Sequence, residues 1–362
     1  MNKICVFCGL QPHSKNKEHI IPQWLIKMTG EPNRQANFGH DSRHYKKTGE
    51  SKIRKFSFSH FQFPACEKCN LEFSALEARV KKYFIRLFEK DYFNSIEIDD
   101  LLDWFDKVRI GLWLGYIMMD EVMEDVSPKF HITTRIGAKD RCLFIYELEN
   151  SNEKGIQFIG ANSPGFLFTP SCFTLRVNNL YFFSYSFDFL FSKNIGFPHA
   201  RKMSSSDRED RMYFVDIEKG NEKISLPLIN FKFLLASTYI YQPIIPYILS
   251  DAPEDSIDHY YSGYVKSNLL DNSDKKGSIF YFDRSLHKLD ADEEIQLVSG
   301  TQSLNLDSFP NQIAKQTLKI IEIVNQIKPD AQALNREQRE TLFKNRSMIL
   351  EAHRNFMKGL HK

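Results

Sequence analysis

Cysteines spaced as Cys5-Val6-Phe7-Cys8 and again as Cys66-Glu67-Lys68-Cys69 can hold a metal ion. Each C-x-x-C pair presents two sulfurs from one tight turn. Four thiolates at about 2.3 Å suit the closed tetrahedral shell of a structural zinc. Between the pairs lies Lys17-Glu18-His19-Ile20-Ile21-Pro22, and Asn70 directly follows the last cysteine. A carboxylate, an imidazole and an amide are the groups that metal-dependent phosphodiester hydrolysis requires. A base activates water, and oxygen ligands hold a cation that neutralises charge on the phosphate.

The segment between the two pairs, residues 9 to 65, is 57 residues long. The compact zinc pattern uses roughly 15–20 residues there. Loop closure grows only logarithmically, so the excess costs roughly 1 kcal/mol, against on the order of 10–16 kcal/mol returned by structural zinc. Buried or redox-active cysteines would not explain two pairs bracketing a histidine strand. Cys142 and Cys172 fall in apolar stretches and read as small buried hydrophobes.

At 362 residues the chain exceeds one average domain, and two or three domains sharing at least one large core are expected. Its 42% hydrophobic content and 31 Phe place it among globular chains. No stretch reaches the roughly 18 apolar residues that span a bilayer, and Ile110 to Met119 reads as a buried helix. Met1-Asn2-Lys3 leads straight into the first C-x-x-C without a signal peptide, so a cytoplasmic location is expected. Charge is segregated. Residues 1–90 carry 17 Lys and Arg against 8 Asp and Glu, whereas the remaining 272 residues carry 31 against 38. A basic N-terminal part on a mildly acidic body suggests that this part meets a polyanion.

The elements that must position these groups follow from periodicity. Lys17 to Ile21 reads as a short strand ending at Pro22, and Gly30 to Ser51 as a polar loop. Alternation from Ile53 to Phe63 predicts a second strand that Pro64 ends. Leu76, Val80, Phe84 and Leu87 recur at helical spacing, which predicts a helix from about Glu67 to Lys90. A second, strongly apolar helix is expected over Asp99 to Met123. Strands are expected at Arg141 to Leu148, Gly155 to Ile159, Phe173 to Phe183, Met212 to Ile217 and Ser278 to Phe282. Phe231 to Ile248 could be a helix broken by Pro243 and Pro246. Helices return at Asn311 to Ile327 and Arg336 to Met357, with Asn335 as N-cap of the last.

Taken together, Cys-Val-Phe-Cys, then Lys-Glu-His-Ile-Ile-Pro-Gln-Trp-Leu, then Ala-Cys-Glu-Lys-Cys-Asn-Leu-Glu-Phe-Ser-Ala-Leu-Glu resembles the zinc-knuckle branch of the HNH (ββα-metal) endonucleases. The resemblance covers residues 1 to about 90. It implies a zinc-bound ββα-metal nuclease module at 1–90. With the elements read from periodicity, an α+β chain is expected, in which a connecting helical segment at 91–127, a β-rich body at 128–305 and C-terminal helices at 306–362 follow that module. The resemblance also implies His19 as general base, with Glu18 and Asn70 holding one catalytic Mg²⁺ or Mn²⁺ beside the structural Zn²⁺ on the four cysteines. Glu18 stands where Asp is commoner, and the family's middle Asn has no clear match. His60, six residues before Cys66, lies nearest its place, with Asn33 and Asn37 as poorer candidates. Glu77 shares a helix face with Asn70 and could be a further ligand or a solvated carboxylate. Lys46, Lys47, Lys52, Arg54 and Lys55 are the phosphate-contact candidates for a nucleic-acid partner, most naturally DNA.

Nothing after residue 91 carries a known fingerprint. The aromatic run Tyr181 to Phe187 reads as buried sheet core, and the C-terminal helix as a mostly solvated face. Residues 91–362 could sense an activating protein or ligand, or build a homo-oligomer, and so restrict cleavage. An anti-phage or mobile-element setting would fit the family resemblance. Two other readings stand beside the nuclease. One is a zinc-dependent nucleic-acid-binding or interaction module that does not cut. The other is a regulatory or oligomerisation protein dominated by the body.

Overall fold

The computed structural model describes residues 4–11, 16–41, 44, 47–50, 52–58, 61–119, 131–148, 154–187, 192, 199–205, 212–218, 239–243, 276–283, 285–298, 301–302, 309–326 and 334–360. Helix and strand are mixed. The N-terminal part is built from β1 (Asn16–His19), α1 (Gln23–Met28), β2 (Gln35–His40), β3 (Ile53–Ser57), β4 (Gln62–Ala65) and α2 (Glu67–Phe88). β5 (Tyr92–Phe93) and the long α3 (Ser95–Met119) follow.

Three expectations change here. The strand predicted over Ile53 to Phe63 is two strands with different partners. β3 pairs with β2, which lies in the stretch read as a polar loop, and β4 pairs antiparallel with β1. Phe58 and Phe61 both turn into the core between them, which breaks the alternation. Pro64 does not end the strand but sits inside β4, opposite Lys17. The Pro64 carbonyl accepts the Val6 N–H, so the backbone of residue 64 faces away from β1 and its missing N–H costs the ladder no hydrogen bond.

Cys66 caps the start of α2, its sulfur accepting from the Cys69 N–H. The helix buries Phe73, Leu76, Val80, Phe84 and Leu87 along one face. It ends where Lys90 adopts φ 58°, a left-handed conformation that stops propagation. α3 is buried on nearly every side and crosses β1 and β4 closely. A Cβ at Gly111 would lie 2.5 Å from Ile20, and one at Gly115 would lie 2.8 Å from Phe63. One hydrophobic cluster runs from Phe7 and Leu25 through Phe84, Trp104 and Phe105 to Leu143, Phe173 and Phe182. The N-terminal elements and the body therefore share a core.

The body holds β6 (Asp140–Leu148), β7 (Ile156–Ile159), α4 (Pro164–Phe168), β8 (Cys172–Val177), β9 (Leu180–Phe187), β10 (His199–Ser205), β11 (Met212–Glu218), β12 (Tyr239–Gln242), β13 (Phe280–Asp283), β14 (Ser285–Lys288), β15 (Ile295–Gln296) and β16 (Thr301–Gln302). Seven strands form one sheet in the order β14-β13-β12-β6-β9-β8-β7, and β16 pairs in parallel with β6. The strand predicted over Phe173 to Phe183 is a hairpin: Asn178, at φ 55°, turns β8 into β9. The helix expected at Phe231 to Ile248 is a strand in its described part, because Tyr239 and Tyr241 face one side and Ile240 and Gln242 the other.

Alternate residues of the central strands divide the body's core. Leu143, Ile145, Leu175 and Phe182 face the helices of the N-terminal half, and Phe144, Tyr146, Phe183 and Tyr185 face α5 (Phe309–Gln326). The aromatic run of β9 is buried as expected. The last helix, α6 (Arg336–Gly359), starts with Asn335 in a full capping box with Gln338. His353 of α6 accepts the Gly165 N–H at Nδ1 (3.0 Å), and its Nε2 lies 2.7 Å from the Ala314 carbonyl, which fixes α6 against α4 and α5.

A buried polar network joins α3 to the sheet. Asp99, Asp103 and Asp106 lie at i, i+4 and i+7 and meet Arg141 of β6, which also bonds Gln242 of β12 at 2.9 Å. Lys276 donates to Asp99 and Asp103, each at 2.8 Å. Among the described residues no helix is long and apolar enough to cross a membrane.

Candidate metal centre and the Glu18–His19 strand

The first cysteine pair lies in a closed turn in which the Gly9 N–H donates to Cys5 O (2.8 Å) and the Cys5 N–H to Leu10 O (2.9 Å). Gly9 takes φ 78°, and a Cβ there would overlap the His131 ring at 2.2 Å, so only glycine fits. The turn is fixed from two sides. Val6 N–H donates to Pro64 O of β4, while Ile132 and Thr133 donate to the carbonyls of Val6 and Phe7. The second pair comes from the first turn of α2, reached directly from β4. β4 thus supplies both the support for one pair and the entry to the other.

These constraints bring the four sulfurs of Cys5, Cys8, Cys66 and Cys69 within 4.8 Å of one another. The Cys8 and Cys66 sulfurs are 3.8 Å apart, and about 3.8 Å is the tetrahedron edge for zinc–sulfur bonds of about 2.3 Å. The donor set fits zinc in type, number and spacing. The Cys69 N–H lowers the pKa of the Cys66 thiol, whereas burial pushes those of Cys8 and Cys69 up. A dication supplies the charge that would keep all four as thiolates.

The expected catalytic residues are arranged differently. Glu18 and His19 are neighbours on β1 and point to opposite faces, as the pleat requires. Glu18, only 7% exposed, faces inward opposite Phe63. Its Oε1 accepts from Nζ of Lys107 at 2.9 Å, and the same ammonium donates to Glu77 of α2 and, at 3.4 Å, to His19 O. Lys107 comes from the middle of α3 and is 0% exposed. Its Nζ lies 5.7 Å from the Phe7 ring centroid and 5.4 Å from that of Phe73, inside cation–π range. Burial raises the pKa of Glu77 to about 7 even though Lys107 opposes the shift.

His19 is half-buried on the other face. The side-chain amides of Gln23 and of Gln62, its partner across the ladder, each approach Nε2 at 2.7 Å. Nε2 has one in-plane lone pair, so it can accept from at most one of the two amides, and the tautomer of the ring sets which way each contact runs. Asn70 lies in the first turn of α2, half-buried, and its N–H makes an ordinary helical bond to Cys66 O (2.9 Å). His60 and Lys46 lie outside the described residues. Lys47, Lys52 and Lys55 are exposed around the β2–β3 ribbon, and Arg54 lies near Asp41, whose pKa is lowered first by the His44 N–H and further by Arg54.

Among the described residues the four cysteines form the one group of three or more His, Cys, Asp or Glu donors close enough for a common ion. Glu18 and Glu77 converge instead on the Lys107 ammonium. With that ion pair in place, the oxygen set does not fit a catalytic dication. Lys107 was missed in the sequence because it lies 89 positions from Glu18, and a lone lysine inside an apolar helix is the one local signal. No family model, curated protein or solved structure matches the chain significantly.

Proposed function

We propose that the chain is a zinc-stabilised, HNH-type endonuclease that hydrolyses phosphodiester bonds of DNA. One observation carries the proposal: β1 bearing His19 pairs antiparallel with β4, which leads directly into α2 bearing Asn70, beside the four-cysteine cluster. Supporting it are the basic excess of residues 1–90 and the exposed lysines of the β2–β3 ribbon, which suit a polyanion.

His19 is the proposed general base: in the tautomer that leaves Nε2 unprotonated, this nitrogen can take a proton from water once the two glutamine side chains yield that position. Asn70 is the group proposed to bind a divalent ion, which Glu18 would join only if the Lys107 ammonium left it, because the ion pair as it stands excludes a cation there. The ion, when bound, would neutralise charge on the phosphate. The body, residues 91–362, is proposed to control access through α3, the helix that carries Lys107.

A second reading has an observation of its own. The Lys107 ammonium pairs with both Glu18 and Glu77 in a largely buried cluster, as expected of a module that keeps the zinc scaffold and binds nucleic acid without cutting it. Supercoiled plasmid incubated with the full chain and Mg²⁺ or Mn²⁺ separates the two. The endonuclease reading expects nicked and linear products that vanish with His19→Ala. Retained plasmid binding with no cleavage under either ion would favour the non-cutting module.

A further inference from the structure

We propose that the β2–β3 ribbon is a groove-reading element that enters the major groove of double-stranded DNA and contacts base edges. This rests on the reading of DNA as the partner, given above, and adds how the duplex is held.

The register decides which residues share a face. Gln35 pairs with Ser57 and Asn37 with Lys55, so these four side chains lie on one side, joined by Ile53 two residues from Lys55. Gln35, Asn37, Ile53 and Lys55 are all exposed. The opposite side carries Ala36, Phe38 and Phe56 into the core, where Phe38 meets Phe61 at 5.8 Å, Tyr116 at 5.9 Å and Phe158 at 6.0 Å between ring centroids. The ribbon is therefore anchored along one face and exposed at Gln35, Asn37, Ile53 and Lys55 along the other.

The exposed face has the chemistry of base edges. Side-chain amides pair with adenine N6 and N7, a lysine with guanine O6 and N7, and an aliphatic group with the thymine methyl. Gln35 and Asn37 supply two amides, Lys55 the lysine and Ile53 the aliphatic group. The exposed Lys47 and Lys52 lie on the same stretch of chain, so phosphates flanking the groove meet cations. The dimensions agree: two strands about 4.8 Å apart fit a groove about 12 Å wide.

The ribbon is also held firmly at its base. Gly39, at φ 75°, donates its N–H to Asn162 Oδ1 at 2.8 Å and stands against the Tyr116 ring. The register shift between Asn37 and His40 adds local twist, which helps a ribbon follow a helical groove. A-form RNA has a deep, narrow major groove that side chains cannot read, so the partner is B-form DNA.

Anisotropy titrations of the full chain without added divalent ion test this. The probes are a fluorescein-labelled mixed-sequence duplex, the same duplex with glucosylated 5-hydroxymethylcytosine in place of cytosine, and the RNA duplex of that sequence. Glucose fills the major groove and leaves the backbone unchanged, so binding to the second and third probes is expected to weaken about tenfold or more. The exposed triple variant Gln35→Ala, Asn37→Ala, Lys55→Ala should bind the plain duplex about tenfold more weakly and lose the discrimination. Equal wild-type affinity for plain and glucosylated DNA, or a triple variant indistinguishable from wild type, overturns the ribbon inference alone. Absence of wild-type binding to any duplex overturns the DNA reading as well.

Discussion

The Lys107 ammonium lies 2.9 Å from Oε1 of Glu18, across 89 positions of sequence, and both groups are shut off from solvent. Glu77 completes the cluster, and the Phe7 and Phe73 rings wall it. Removing one partner from such a pair leaves an uncompensated buried charge, which costs about 3–5 kcal/mol. Lys107→Met is therefore expected to lower the unfolding free energy by that order in urea titrations. Adding Glu18→Gln should recover part of the loss, because it removes a carboxylate left without its cation. A double variant as unstable as the sum of the two singles would show that the pair is not coupled.

The zinc site makes a second prediction. Purified protein should contain one zinc per chain by plasma mass spectrometry, given a cluster of four sulfurs within 4.8 Å. Cys66→Ser removes a zinc ligand but leaves a hydroxyl that can still cap α2, so zinc content and melting temperature should fall together through loss of the metal. Cys142→Ser, in the buried core away from the cluster, should keep its zinc whatever it does to stability.

Close packing of α3 gives a third. Gly115→Ala places a methyl 2.8 Å from Phe63 and 2.9 Å from Phe61, contacts that must push helix and strand apart. Overpacking of this kind costs about 1–3 kcal/mol. Gly155→Ala, where nothing lies within 4 Å of the added carbon, is the control and should be nearly neutral.

The fourth concerns His353. Burial lowers its pKa below 6.5, and its Nδ1 needs a lone pair for the Gly165 N–H. Below pH 6.5 the unfolded chain takes up a proton that the folded chain refuses, so the stability from this residue is lost as pH falls. His353→Gln should flatten the difference in melting temperature between pH 7 and pH 5. An unchanged difference would mean that this histidine does not govern it.

How much was legible depended on the range of the interaction involved. The cysteine frame, the apolar face of α2 and the Asn335 cap are written in residues a few positions apart, and all three were read correctly. The β2–β3 ribbon was missed on one side because Gln35 and Asn37 alternate with Ala36 and Phe38 in a segment whose overall polarity suggested a loop. The hairpin at Asn178 was missed because β8 and β9 are buried on both faces and show no alternation to interrupt. The environment of Glu18 could not be read at all, since its partner lies on α3 and only tertiary packing brings Lys107 to it.

The central claim is that His19 does chemistry. Its most direct test is the cleavage rate of a labelled DNA duplex by wild type and His19→Gln, measured beside zinc content and duplex affinity. The account predicts a loss of about 10²–10⁴-fold in rate, with one zinc per chain and the same affinity retained. Equal rates for the two proteins, or no cleavage by wild type with either Mg²⁺ or Mn²⁺, would contradict it.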